Sequence, residues 1–124
     1  MKPSLSVLLI EDDFLIRTCL AEFLQDNDLT VMEAGNCAEA EAIITQTAAL
    51  DAVVADVTLP DGDGMALSRS AREKWPDLPV IYISGHGDLR RNETSNDPSR
   101  DRFISKPYTL ASILDALQDM AHSG

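Results

Sequence analysis

Asp56 closes an apolar run, Ala52-Val53-Val54-Ala55, and opens a turn-rich one, Val57-Thr58-Leu59-Pro60-Asp61-Gly62-Asp63-Gly64. A second apolar run, Val7-Leu8-Leu9-Ile10, ends the same way, in Glu11-Asp12-Asp13. Two runs of this kind read as buried parallel strands that deliver carboxylates to one edge of a sheet, the edge where open α/β sheets place their chemistry. Left alone there, Glu11, Asp12 and Asp56 would repel and raise one another's pKa. A hard divalent cation resolves the repulsion. Magnesium takes oxygen ligands, uses one or two carboxylates and keeps several waters, so the cluster implies Mg²⁺ with positions open to a phosphoryl oxygen. Ser84 and Lys106 each follow a further strand-like run and bring a hydroxyl and an ammonium to the same edge. A carboxylate, a metal, a hydroxyl and a lysine together can bind and stabilise a phosphoryl group. Asp56 is the candidate nucleophile, since carboxylates form aspartyl-phosphates.

Each residue by itself has a plainer reading. An acid at a strand end is ordinarily an Asx turn or a helix cap, a lysine before proline a surface charge, Ser84 and Asp61-Gly62-Asp63-Gly64 parts of turns. Their joint placement after four different strands selects the chemical reading.

The elements that must hold these groups alternate along the chain. Strands are predicted over Leu5–Ile10, Leu29–Ala34, Ala52–Ala55, Pro79–Ile83 and Arg102–Ser105. Helices are predicted over Phe14–Asp26, from an Asn36 cap to about Ala48, over Met65–Trp75, and after a Thr109 cap. The first helix carries Leu15, Ile16, Cys19, Leu20, Phe23 and Leu24 on one apolar face, which places Cys19 in the core. Between Asp88 and Asp101 the one aliphatic residue is Leu89, so the helix the rhythm calls for is short or irregular. The pattern predicts a doubly wound α/β fold: a five-stranded parallel sheet, order 2-1-3-4-5, with helices on both faces and right-handed crossovers.

At 124 residues the chain is expected to form a single domain, residues 1–124, large enough for a real core. Its net charge of −11, from 21 acidic and 10 basic residues, argues against direct binding to nucleic acid or to an anionic membrane and suits a basic protein partner. No apolar stretch approaches the roughly 18 residues of a membrane span, and Met1-Lys2-Pro3 leads straight into a strand rather than a signal peptide. A cytoplasmic location is expected. Cys19 and Cys37 are the only cysteines and His86 and His122 the only histidines, with no zinc or redox spacing among them. Nucleotide-binding glycine motifs are absent, and the turn after the first strand holds acids where they would lie. Asp61 and Asp63 do not begin a calcium loop, because Arg72 stands at the distal glutamate position.

The sequence resembles the receiver domain of two-component response regulators, with its CheY-like fold, over nearly its whole length. Leu8 to Asp13 resembles the family's acidic pocket. Asp56 to Gly64 resembles its phosphoacceptor motif, D-x-x-L/M-P-x-x-D-G. Ile83-Ser84-Gly85 resembles its Thr/Ser-Ala switch, and Phe103-Ile104-Ser105-Lys106-Pro107-Tyr108 its aromatic-x-x-K-P-F/Y end. The resemblance implies that Asp56 takes a phosphoryl group from a sensor histidine kinase or histidine phosphotransfer protein. It implies that Asp12, Asp56 and the Thr58 carbonyl bind Mg²⁺ directly and Glu11 through water, with Asp13 outside the ligand set. Ser84 and Lys106 would engage the phosphoryl group, and Lys106-Pro107 would be cis. Ser84 and Phe103 take the switch positions, and Phe103, with no hydroxyl, would switch by packing alone. Thr58 and His86 stand where the family tunes acyl-phosphate hydrolysis. Gly85 departs from the usual alanine.

The resemblance implies no enzyme in the ordinary sense, only turnover of its own Asp56. The output partner is unnamed, and a phosphorylation-dependent dimer is left open. A receiver-like interaction module that is never phosphorylated is the alternative; the altered stretch before the fifth strand favours it, and the full set of chemical residues counts against it.

Overall fold

Alternation within the strands builds two cores, one on each face of a single sheet. The computed structural model describes residues 5–85 and 100–123, with side chains to residue 121. Strand β1 (Ser6–Ile10) lies between β2 (Thr30–Ala34) and β3 (Ala52–Asp56); β6 (Val80–Ser84) and β7 (Asp101–Ser105) follow on the other side of β3. The order β2-β1-β3-β6-β7 is wholly parallel and is the doubly wound arrangement expected. The two remaining short strands, β4 (Thr58–Leu59) and β5 (Gly62–Asp63), pair antiparallel as a small hairpin outside the sheet. By its turn residues alone that segment reads as a loop.

Leu8, Ile10, Val53, Ala55, Val80 and Tyr82 point to one face and pack with α2 (Cys37–Gln46) and α3 (Gly64–Lys74). Val7, Leu9, Ala52, Val54, Ile81 and Ile83 point to the other and pack with α1 (Phe14–Asp26) and α4 (Leu110–Ser123). The central strands β3 and β6 are buried at every residue. That is why they read as unbroken apolar runs. Among the described residues no helix is long and apolar enough to cross a membrane.

Helix caps follow the sequence closely. The Asn36 side chain accepts from the Glu39 N–H at 2.8 Å, and Glu39 accepts in return from the Gly35 N–H, one residue earlier than a standard capping box. Thr109 Oγ1 accepts from the Ser112 N–H at 3.1 Å. Helix α1 corrects the reading of its apolar face. Leu20, Ala21 and Leu24 are buried, whereas Leu15 and Ile16 are exposed and Cys19 is an exposed free thiol, not a core residue. The buried stripe therefore occupies the second half of the helix, and the first turns are left uncovered. Asp101 is a second correction. It belongs to β7 rather than to the polar stretch before it, and it is buried. The expected short or irregular helix and His86 lie outside the described residues.

Candidate functional site

Asp56 is the last residue of the central strand and is buried, 4% exposed. Because β3 is flanked by β1 and β6, the acids after β1 and the Ser84 that ends β6 stand on either side of it. Ligand oxygens of Glu11, Asp12 and Asp56 all lie within 4.8 Å of one another. Glu11 is buried and Asp12 exposed, so the cluster opens to solvent along one side. From the end of β7, Lys106 reaches back to Asp56, with Nζ 2.8 Å from Oδ2. The Lys106–Pro107 peptide bond is cis, as the resemblance implied.

Two buried polar atoms here have no partner among the described residues: Glu11 Oε2 and Ser84 Oγ. The other Glu11 oxygen accepts from the Asp13 N–H at 3.0 Å. Burial, opposed by that hydrogen bond and reinforced by the neighbouring Asp56 carboxylate, pushes Glu11 up to about 7. Burial alone would lower Lys106, but its hydrogen bond and charge contact with Asp56 outweigh this and hold the ammonium above the ordinary lysine value. An orphaned buried carboxylate oxygen beside two further carboxylates fits a divalent cation. Asp13 stands apart from the cluster: it caps α1, accepting from the Ile16 N–H at 3.1 Å.

The loop after Asp56 is held from three directions. Its hairpin presents Asp61, whose carboxylate accepts from the Cys37 and Ala38 N–H groups at 2.7 and 3.1 Å, the exposed start of α2. Asp63 caps α3 through the Met65 N–H at 2.8 Å. The Gly64 N–H donates to the Val57 carbonyl at 3.0 Å, and a Cβ at Gly64 would collide with the Asp56 carbonyl. Only glycine lets α3 begin this close to the strand. Thr58 is exposed at the mouth of the site, its N–H 3.4 Å from Asp56 Oδ1. At Gly85 a Cβ would meet no atom of the described residues, so nothing there forces glycine sterically.

Phe103 pairs across the sheet with Tyr82 and stacks on it, ring centroids 4.9 Å apart. Tyr82 and its partner Ser68 were not singled out from the sequence, nor was Asp61 as a helix cap. A signal existed for Ser68: residues 64, 67, 68 and 71 share one helical face, and all are buried.

Beside the acids, exposed Leu15 and Ile16 join Cys19, Pro107, Tyr108 and Leu110 around an open apolar groove of about 700 Å³. Lys106 lies on its rim.

Comparison with known proteins points in one direction. Residues 7–118 match the family model described as the response regulator receiver domain. The chain is 30% identical over 114 residues to the response regulator receiver protein CpdR of Brucella abortus, covering 92% of this chain and 94% of that protein. It is 31% identical over 121 residues to the sensor kinase CckA of the same organism, of which it spans 13% while 97% of this chain is covered. Among solved structures, a response regulator receiver protein from Sinorhizobium medicae superposes with a TM-score of 0.86 at 28% identity, covering 97% of this chain and 96% of that one.

Proposed function

The chain belongs to the response regulator receiver domain family, and from that premise we propose that it is a two-component signalling switch whose phosphoacceptor is Asp56. One observation carries the assignment: three carboxylates within 4.8 Å of one another share a sheet edge with Lys106 and the unpartnered Ser84 hydroxyl. Residues 1–124 then form one receiver domain.

In this reading the Asp56 carboxylate attacks phosphorus, the P–N bond of a phosphohistidine breaks, and its electron pair leaves with the donor nitrogen. Asp12, Asp56 and the Thr58 carbonyl would hold Mg²⁺, with Glu11 behind them. Once bound, the ion would neutralise charge on the phosphoryl oxygens. Lys106, already poised on Asp56, transfers its hydrogen bond to the incoming phosphoryl oxygen. Ser84 Oγ, without a partner among the described residues, turns to a second oxygen, vacating space that Phe103 can enter. Hydrolysis reverses the state: water attacks phosphorus, the P–O bond to Asp56 breaks and the carboxylate returns. Thr58, exposed at the mouth, governs the approach of that water, and His86 shares the role by its position in the sequence.

The phosphodonor is a sensor histidine kinase or a histidine phosphotransfer protein. Exposed Phe14, Leu15 and Ile16, with the groove beside Lys106, supply an apolar docking face next to the acids. The output is a change in protein–protein contacts, and the only turnover is of the protein's own Asp56.

Intact-mass measurement after treatment with acetyl phosphate tests the assignment. One phosphoryl group is expected on the wild type with Mg²⁺, and none without it or on Asp56→Asn. Equal labelling of Asp56→Asn overturns the reading.

A further inference from the structure

A tyrosine in the centre of a fully buried strand must find a partner for its hydroxyl. Tyr82 is 3% exposed, and its Oη is hydrogen-bonded to Ser68 Oγ of α3, which is 2% exposed. Ser68 Oγ in turn donates to the Met65 carbonyl at 2.9 Å. With the serine proton committed there, the tyrosine is the donor. Burial raises the phenol above its ordinary value, so it keeps the proton it donates. The bonds thus run one way: Tyr82 O–H to Ser68, Ser68 O–H to the first turn of α3.

That turn is the one the phosphoacceptor loop is fastened to. Met65 donates to Asp63, and Gly64 donates to Val57, the residue after Asp56. At its other end the chain of contacts reaches Phe103, stacked on the Tyr82 ring at an interplanar angle of 23°. Ser84 lies two residues beyond Tyr82, on the same face of the same strand.

We propose that Tyr82 and Ser68 form a second route, beside Ser84, by which the phosphoacceptor loop sets the position of Phe103, and that α3 moves with it as an output surface. The inference rests on Asp56 being the phosphoacceptor. Phe103 lacks a hydroxyl of its own; the tyrosine beneath it supplies one and ties the ring to a helix. A loop pulled toward a phosphoryl group shifts the Met65 carbonyl, the shift passes through two hydroxyls to the Tyr82 ring, and the ring stacked on it must follow or lose contact.

Trp75 ends α3, packs against the same core and is the only tryptophan, so its fluorescence reports that helix. The full chain, its phenylalanine rings carbon-13-labelled, is titrated with Mg²⁺ and beryllofluoride as a phosphoryl mimic, occupancy being read by fluorine NMR, the helix by Trp75 emission and the Phe103 ring by its carbon-13 shifts. The wild type should bind the mimic and change its emission. Tyr82→Phe keeps the ring and removes the donor; Ser68→Ala removes the acceptor. Both should bind the mimic and keep the Trp75 response, since α3 precedes the two hydroxyls in the relay, but lose most of the Phe103 ring shift that the wild type shows. A purely structural hydrogen bond would lower stability in these variants but leave the Phe103 shift per bound mimic intact, and that result overturns the proposal. A wild type that binds the mimic without any Trp75 change overturns it as well. A wild type with no bound fluorine signal overturns the phosphoacceptor reading, and the relay falls with it.

Discussion

The two edges of the sheet treat their polar groups in opposite ways. At the edge where β6 and β7 begin, the Arg72 guanidinium donates to the Leu78 and Arg100 carbonyls and pairs with the buried Asp101 carboxylate at 2.6 Å. Nearby, Lys74 gathers the Ile44, Thr45 and Thr47 carbonyls that the end of α2 leaves open. Asp51 and Ser6 tie β1 to the start of β3, Asp51 accepting from the Ser6 N–H at 2.7 Å. Arg100 Nε is the one buried side-chain atom on that side without a partner among the described residues. At the opposite edge, Glu11 Oε2 and Ser84 Oγ are buried without partners among the described residues, and three acids cluster beside the Lys106 ammonium. One edge uses its hydrogen-bonding capacity to hold the fold; the other leaves buried polar atoms unpaired among the described residues, at a standing cost in stability.

The contrast can be broken at either edge. The largest loss is expected from Arg72→Ala, which strands Asp101 without its cation. Removing one partner of a buried pair costs about 3–5 kcal/mol, so the urea midpoint should fall sharply while Asp56 labelling of the folded fraction is unchanged. A variant that unfolds no more easily than the wild type would remove the distinction between the edges.

The opposite sign is expected at Glu11. Glu11→Gln should stabilise the metal-free protein by about 1–3 kcal/mol at pH 8 by relieving a buried, unsatisfied charge, and should weaken Mg²⁺ binding. Its pKa rises on folding from 4.5 to about 7, so across that interval the folded state holds more protons than the unfolded one. Its contribution is therefore fully present below the lower value and is lost as pH rises through the upper one. The gap in denaturation midpoint between Glu11→Gln and wild type should widen from pH 5 to pH 8, and Mg²⁺ should narrow it. A gap independent of pH would clear Glu11 of this role.

The smallest effect is expected at a pair with an exposed carboxylate. Half-buried Arg17 and exposed Glu33 lie 3.3 Å apart, and Glu33→Gln should change stability by less than about 1 kcal/mol. A loss as large as that at Arg72 would show that burial does not separate the two pairs.

The chemical edge was legible because Glu11, Asp56 and Ser84 directly follow apolar runs that read as buried strands, while Lys106 follows a mixed run, Arg102 to Ser105. Sequence position then fixes where Asp56, Ser84 and Lys106 go. Less was legible where tertiary contact overrides local pattern. The helical spacing of Leu15, Ile16 and Cys19 defines an apolar face but not how far along α1 the sheet covers it. The β4–β5 hairpin is hidden in turn residues, since two-residue strands carry no periodicity. Tyr82 and Ser68 are 14 residues apart, one a hydroxyl in an apolar strand and the other one of two serines in a mixed helix. Only the crossover that lays α3 over β6 brings them together. Asp101 looked like the end of a polar stretch because its partner, Arg72, is 29 residues earlier.

Asp61 at the tip of that hairpin has a consequence for transplanting the site. The carboxylate reaches the start of α2 from the loop that follows Asp56, so the loop is measured against a helix that precedes it in the chain. An insertion between Leu59 and Asp61 would slide the carboxylate off its seat. A chimera that moved Asp56 to Gly64 into another scaffold would need the first turn of α2 as well, because the loop's length is calibrated at both ends.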